Sequence, residues 1–277
     1  MARKRFVRID GRMVEVSDPP ADAASGAPAS RGKRWALVFL AVAVIVAGVF
    51  LYFGTDEAPS PGNSSIRLTP PWPPLTKDGV EISKDLLAKN YYIVLDGSGS
   101  MRDQGCSGNI SKLEAAKSAV AAFAQTVPAD ANLGLQVFDN NGVQERIPLG
   151  TGNRDRFIRQ VSAVRATGNT PLRESVRQAY DRLLDQGMKQ LGYGEYHLVI
   201  VTDGEADRGQ DPGPVVNPML GESPVVMHTI GFCIGSNHSL NQQGKTLYQA
   251  ANDVDQLRKG LADVLAEAPQ FKLTKFK

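Results

Sequence analysis

The chain has 277 residues and a formal net charge of +2, from 31 Lys and Arg against 29 Asp and Glu. That length holds one domain of about 150–200 residues plus appendages, and so balanced a charge argues against a nucleic-acid footprint, which normally needs a clustered basic surface. A hydrophobic fraction of 42% can fill a core, while two cysteines, Cys106 and Cys233, leave one possible pairing whose relevance depends on compartment.

Residues 1–34 are basic, with Arg3, Lys4, Arg5, Arg8, Arg12, Arg31, Lys33 and Arg34. The stretch "RFVRIDGRMVEV" suggests a small hairpin around Asp10 and Gly11. An isolated hairpin is marginal in water, so this head is expected to be mostly disordered.

Residues 35–53, WALVFLAVAVIVAGVFLYF, carry no charge. A helix of that length spans about 28 Å, close to the hydrocarbon thickness of a bilayer. Trp35, Tyr52 and Phe53 stand at its ends, where amphipathic rings favour the headgroup layer. Asp56 and Glu57 follow, and the next basic residue is Arg67. This bias predicts a cytoplasmic N-terminus and an extracytoplasmic remainder. The apolar run is longer than a signal peptide's, and no A-x-A site follows, so it reads as an uncleaved single-pass anchor.

Residues 54–84 turn to Pro, Gly, Ser and Thr ("APSPGNSS", "TPPWPPLT"). Proline stiffens such a stretch into an extended spacer.

Residues 85–277 have the regular pattern of a folded domain. Residues 91–95 form an apolar run of strand length, and Ser111 with Glu114 fits a capping box. Leu113, Ala116, Val120, Phe123 and Val127 then follow at helical spacing. Residues 133–138 and 143–149 read as strands joined by "DNNG". Helices are predicted over 155–164 and 171–184, strands over 197–202, 225–234 and 245–251, and a last helix capped by Asp253. Strands apolar on both faces, alternating with helices, predict an α/β fold: a doubly wound, mostly parallel sheet covered on both sides, preceded by the transmembrane helix. Ligands of such sheets bind beyond the carboxyl ends of the strands.

Three segments converge on that edge. The first strand ends in "DGSGS", delivering Asp96, Ser98 and Ser100. The loop "ATGNTPL" delivers Thr170, which with Pro171 also makes a good helix cap. "HLVIVTDGEAD" delivers Asp203. Two carboxylates and three hydroxyls form an all-oxygen set that suits a hard cation, Mg²⁺ first and Mn²⁺ next. Cys233 and His238 have no second pair to complete a zinc site, and His197 and His228 fall in strand patterns as core or edge residues. Glu205 and Asp207 read as a solvated loop beside the site or as holders of a second cation, and Lys272, Lys275 and Lys277 as a solvated tail.

"DGSGS", "GNTPL" and "VTDGEAD", in this order and context, resemble the von Willebrand factor type A domain over roughly residues 89–268. The metal-ion-dependent adhesion site of that family has the pattern Asp-x-Ser-x-Ser, a distant Thr and a distant Asp. The resemblance implies that Ser98, Ser100 and Thr170 bind the metal directly and that Asp96 and Asp203 act mainly through water. It also implies that the metal's open position accepts an acidic side chain of a partner protein. "MRDQGCSGNIS" departs from the family by lengthening the loop after Ser100, and the short segment before the last strand leaves little room for the usual helix. In the implied strand order 3-2-1-4-5-6, the first and fifth strands lie about 9–10 Å apart. A disulfide needs Cα atoms within about 7 Å. Cys106 and Cys233 therefore pair if the inserted loop folds inward, and otherwise remain separate thiols.

The expected function is a membrane-tethered, extracytoplasmic binding module for adhesion or envelope-complex assembly. The alternative is Mg²⁺-dependent phosphoryl transfer at Asp96 and Asp203. That chemistry asks for a second carboxylate two residues after the nucleophile and usually a lysine. Here position 98 is serine, and no lysine stands in the three loops.

Overall fold

The computed structural model describes residues 5–9, 12–16, 72–74 and 79–266. The chain divides into two units, Met1–Ile66 and Arg67–Lys277. In the first, β1 (Arg5–Ile9) pairs antiparallel with β2 (Arg12–Val16), Ile9 opposite Arg12, so these residues form the hairpin that the sequence reading sets aside in favour of disorder. The apolar run 35–53, most of the linker and the C-terminal lysines lie outside the described residues. Among the described residues no helix is long and apolar enough to cross a membrane.

The second unit is built around β3 (Lys89–Asp96). Tyr91, Ile93 and Leu95 enter one apolar cluster, and Tyr92 and Val94 enter another. A strand apolar on both faces must be covered on both, and β3 accordingly lies in the middle of the sheet. The chain continues through α1 (Lys112–Thr126), β4 (Asn132–Asp139), β5 (Gly142–Gly150), α2 (Arg154–Ser162) and α3 (Leu172–Lys189). It ends with β6 (Glu195–Thr202), α4 (Gly213–Glu222), β7 (Val226–Phe232), β8 (Leu247–Ala251) and α5 (Val254–Ala266). The six strands lie in the order β5-β4-β3-β6-β7-β8, the 3-2-1-4-5-6 arrangement. Every pair is parallel except β4 and β5, where Asp139 faces Gly142 across the two asparagines of "DNNG".

Side chains of α1, α2 and α5 fill the cluster on one face, and those of α3 and α4 fill the other. The helix α4 is not foreseen by the sequence reading. Its segment "GPVVNPMLGE" carries Pro218 internally, and only Val216 and Met219, three apart, are buried. Between β7 and β8 the chain makes turns and no helix.

The lower end of the sheet is sealed. Trp72 packs edge-on against Tyr196 with ring centroids 4.5 Å apart. The helix α3 accepts that indole only because position 187 is glycine, where a Cβ would meet the ring at 2.4 Å. Among the described residues, packing onto this core reaches back to Trp72. Asn90 Nδ2 donates to Gln190 Oε1 (2.8 Å) and to the Glu195 carbonyl (2.9 Å), closing the same end with satisfied polar groups. His197 stacks on Tyr91 at 4.8 Å, and its Nδ1 lies 3.2 Å from His228 Nε2, so both imidazoles belong to the core.

Burial first, and His197 second, push the His228 imidazole down to about 4. Burial also lowers His197, against the opposing influence of Glu195. An unfolded histidine titrates near about 6.5. Between that pH and about 4 the unfolded chain therefore holds a proton that folded His228 does not, and stability falls as pH falls through the window. The slope is at most about 1.4 kcal/mol per pH unit for one proton. Urea midpoints of the full-length protein, followed by circular dichroism from pH 7 to 4.5, should decline less steeply in His228→Gln than in wild type. Equal slopes would remove His228 from the acid sensitivity.

Candidate metal centre

Because β3 and β6 are parallel neighbours, their carboxyl ends finish side by side. Asp96, the last residue of β3, is fully buried. Its Oδ2 accepts from Thr202 Oγ1 at 2.6 Å, and its Oδ1 from the Ser98 amide at 2.7 Å. Burial pushes the carboxyl up to about 6, opposed by the bonds from Ser98 and Thr202 that favour the charged form.

The next residues are fixed through their backbone. Gly97 N donates to Phe138 O (2.8 Å), Gly97 O accepts from Thr167 N (2.7 Å), and Gly99 N donates to Gly168 O (3.0 Å). A Cβ at Gly97 would lie 2.9 Å from the Phe138 carbonyl, so the close approach to β4 requires glycine. Gly168 has φ +88°, and a Cβ there would strike Asn140 N at 2.6 Å. A single 3-10 turn, Gly99–Arg102, then buries Met101 in the core.

The hydroxyls gather above this loop. Ser100 Oγ donates to Asp203 Oδ1 at 2.7 Å, which commits its proton and makes Ser98 the donor in the 3.0 Å Ser98–Ser100 contact. Thr170 does not cap the following helix as the sequence suggests, since α3 starts at Leu172 with Pro171 in the cap position. Asp207 holds its backbone instead: Thr170 N donates to Asp207 Oδ2 (2.9 Å), and Asp207 N to Thr170 O (3.1 Å). A Cβ on Gly204 would lie 3.8 Å from both Ser100 Oγ and Thr170 Oγ1, so the two hydroxyls face one space. The structure thus brings Asp96, Ser98, Ser100, Thr170 and Asp203 together.

The donor set fits a small hard cation. Adjacent ligands of an octahedral Mg²⁺ at 2.0–2.1 Å lie about 2.9 Å apart. The Ser98–Ser100 separation of 3.0 Å is close to that edge. Among the described residues no group of three or more His, Cys, Asp or Glu side chains is placed to hold a metal. Any cation bound here would be held largely by hydroxyls.

Three residues at the site escape the sequence reading. Lys112, the first residue of α1, reaches across to place Nζ 2.8 Å from Asp203 Oδ2, although no lysine belongs to the three loops. Asp207 positions Thr170 rather than lining a solvated loop. His238 accepts from Leu240 N at Nδ1 (3.0 Å), so its Nε2 carries the hydrogen and donates to Gly204 O (3.0 Å). That histidine clamps the turn after Asp203 and is no zinc ligand. None of the three has a periodic or motif signal, because each acts across a long sequence separation. Glu205, beside the site, accepts from Ser239 N at 3.4 Å.

The inserted loop folds inward. Cys106 and Cys233 are joined in a disulfide with Cα atoms 5.5 Å apart, across a sequence separation of 127. Non-reducing peptide mapping of the protein purified from its native source should recover the linked peptide. Two alkylatable thiols without it would overturn the pairing.

Residues 91–205 match the model of the von Willebrand factor type A domain family. The chain is similar to uncharacterized protein YwmD of Bacillus subtilis (strain 168), 26% identical over 189 residues that cover 60% of this chain and 80% of the relative. Among solved structures it is similar to the conserved hypothetical protein BatB from Bacteroides thetaiotaomicron, at TM-score 0.53 and 16% identity, covering 65% of this chain and 98% of that one. It is also similar to a von Willebrand factor type A structure from Catenulispora acidiphila, at TM-score 0.54 and 18% identity, covering 65% of this chain and 42% of that one. The sheet order, the layers of helices and the family match agree: the α/β domain of this chain has the von Willebrand factor type A fold.

Proposed function

We propose that this chain is a membrane-tethered, extracytoplasmic binding module that grips an acidic side chain of a partner protein through Mg²⁺ or Mn²⁺, in adhesion or in assembly of an envelope complex. The observation that carries this reading is the convergence of Asp96, Ser98, Ser100, Thr170 and Asp203 from three chain segments at the carboxyl edge of the sheet. Ser98, Ser100 and Thr170 would hold the cation through their hydroxyls, and Asp96 and Asp203 through water. A cation bound there would supply an open, electropositive coordination position. The protein's part is to keep these oxygens rigid, which Gly97, Thr202, Asp207 and His238 do through the bonds described above.

Lys112 is the one feature that favours phosphoryl transfer, since it provides the lysine such chemistry uses. Asp96, however, is fully buried with both oxygens accepting hydrogen bonds, and Ser98 stands where the acid/base carboxylate is needed. Binding is the better use of this geometry. Phosphatase turnover of a small ester at saturating Mg²⁺, abolished by Asp96→Asn, would reverse that preference.

Titration calorimetry of the full-length protein in detergent should show one Mg²⁺ or Mn²⁺ site, lost in Ser98→Ala/Ser100→Ala without loss of the folded circular dichroism spectrum. Binding to the native state should also raise Tm, by the equivalent of about 2.7 kcal/mol at a hundredfold excess over Kd. A pure, folded wild type with neither heat nor shift would refute the metal reading.

The basic bias before residue 35 supports an extracytoplasmic domain. Protease added to cells with the wall or outer membrane opened should digest residues 85–277. Digestion only from the cytoplasmic side would invert the topology.

A further inference from the structure

The Asp203 carboxylate meets a cation supplied by the chain itself. Lys112 Nζ lies 2.8 Å from Oδ2, while Oδ1 of the same carboxylate takes the Ser100 hydroxyl at 2.7 Å. The pair is well shielded: the Asp203 side chain is 0% exposed and that of Lys112 12%. An ammonium group thus stands one carboxylate away from a hydroxyl proposed to bind metal.

The inserted loop holds the lysine there. Lys112 N donates to Asp103 O at 2.8 Å, closing the loop at its base. Gly105, at φ +46°, lies over the lysine so closely that a Cβ would be 2.9 Å from Lys112 Cε and 3.8 Å from Nζ. The same Cβ would lie 3.6 Å from Cys233 Sγ, and Cys106 N lies 3.3 Å from that sulfur. The disulfide fastens the loop to the end of β7, and the loop confines the side chain beneath it. Ordinary helix-end lysines extend into water; this one is roofed and aimed inward.

We propose that Lys112 is a tethered counter-ion that competes with a divalent cation for Asp203 and sets the affinity of the site. The inference rests on the reading of these oxygens as a divalent-cation site. Without a divalent cation the ammonium neutralises the buried carboxylate, which would otherwise be an unpaired buried charge. With a divalent cation beside Ser100, two like charges share one carboxylate, and either the lysine leaves or the cation binds against its repulsion. Both routes weaken binding relative to the same site without the lysine. Lys112 is therefore a specificity-determining residue that restricts occupancy to high divalent concentrations.

The test compares full-length wild type, Lys112→Met, Lys112→Gln and Lys112→Arg, titrated with MgCl₂ and MnCl₂ by calorimetry and melted across the same concentrations. Glutamine keeps a hydrogen-bond donor toward Asp203 and gives a folded neutral variant where methionine does not. The neutral variants should bind at least tenfold more tightly, about 1.4 kcal/mol, and arginine should bind as wild type does. Their Tm should lie below that of wild type without divalent cation and recover as MgCl₂ is added. A merely structural lysine would give a deficit that MgCl₂ does not repair. Unchanged or weaker affinity in both neutral variants would overturn the inference while leaving the metal reading intact. Binding in the neutral variants alone would support the inference and show that the wild-type site is closed by its own lysine. Absence of binding in all four folded proteins would refute both.

Discussion

A carboxylate buried at the end of the central strand organises this domain. Removing an ionised group from water is costly unless it is hydrogen-bonded, so Asp96 dictates what stands around it. Its two oxygens engage the Thr202 hydroxyl and the Ser98 amide. One bond locks the ends of β3 and β6 in register, and the other turns the chain out of the sheet at a fixed angle. The position of both serine hydroxyls follows from that turn. The residual strain on the charge is visible in the carboxyl's upward displacement to about 6, where burial outweighs the favourable bonds.

The two ends of the sheet solve opposite problems. At the lower end, polar groups are paired with one another and capped by apolar rings: Asn90 with Gln190, His197 with His228, and Trp72 over Tyr196. At the upper end, the donors and acceptors are chained rather than closed, from Ser98 to Ser100 to Asp203. Hydroxyls make that chain adaptable, because each can surrender a hydrogen bond and still offer a lone pair. Rigidity comes instead from the backbone, where Gly97 and Gly168 let neighbouring loops approach within distances that a Cβ forbids.

The sequence is most informative where burial imposes a period or a motif. Residues 91–95 and 197–202 read as central strands because both faces are apolar, and the structure makes them the adjacent centre of the sheet. The five oxygen-bearing residues are legible because strand ends and glycine turns mark them locally. The helix α4 is illegible because three prolines and two glycines between 212 and 221 hide a short stripe of two buried residues. The Thr170 cap fails for a related reason. Its backbone is claimed by Asp207, 37 positions away, and no local pattern reports that bond. Lys112 looks like any solvated residue of a helix's first turn until the loop before it is folded.

That loop changes the relation between ligand and fold. Many metal sites are clusters of like charge whose assembly depends on the metal, so that binding and folding become one event. Here Asp203 is paired with the Lys112 ammonium, Asp96 is held by hydrogen bonds, and the hydroxyls bond among themselves. Lys112 balances the charge of Asp203, and the Thr202–Asp96 bond ties the two strand ends together through the chain's own groups. A site assembled in this way is preorganised, and its oxygens need little rearrangement to receive a cation. Its affinity is then set by how easily Lys112 gives way. That depends on a roof of Gly105 and a disulfide lying outside the motif itself. The five oxygen-bearing residues place the candidate binding site, and in the proposed reading the insertion beside them governs access to it.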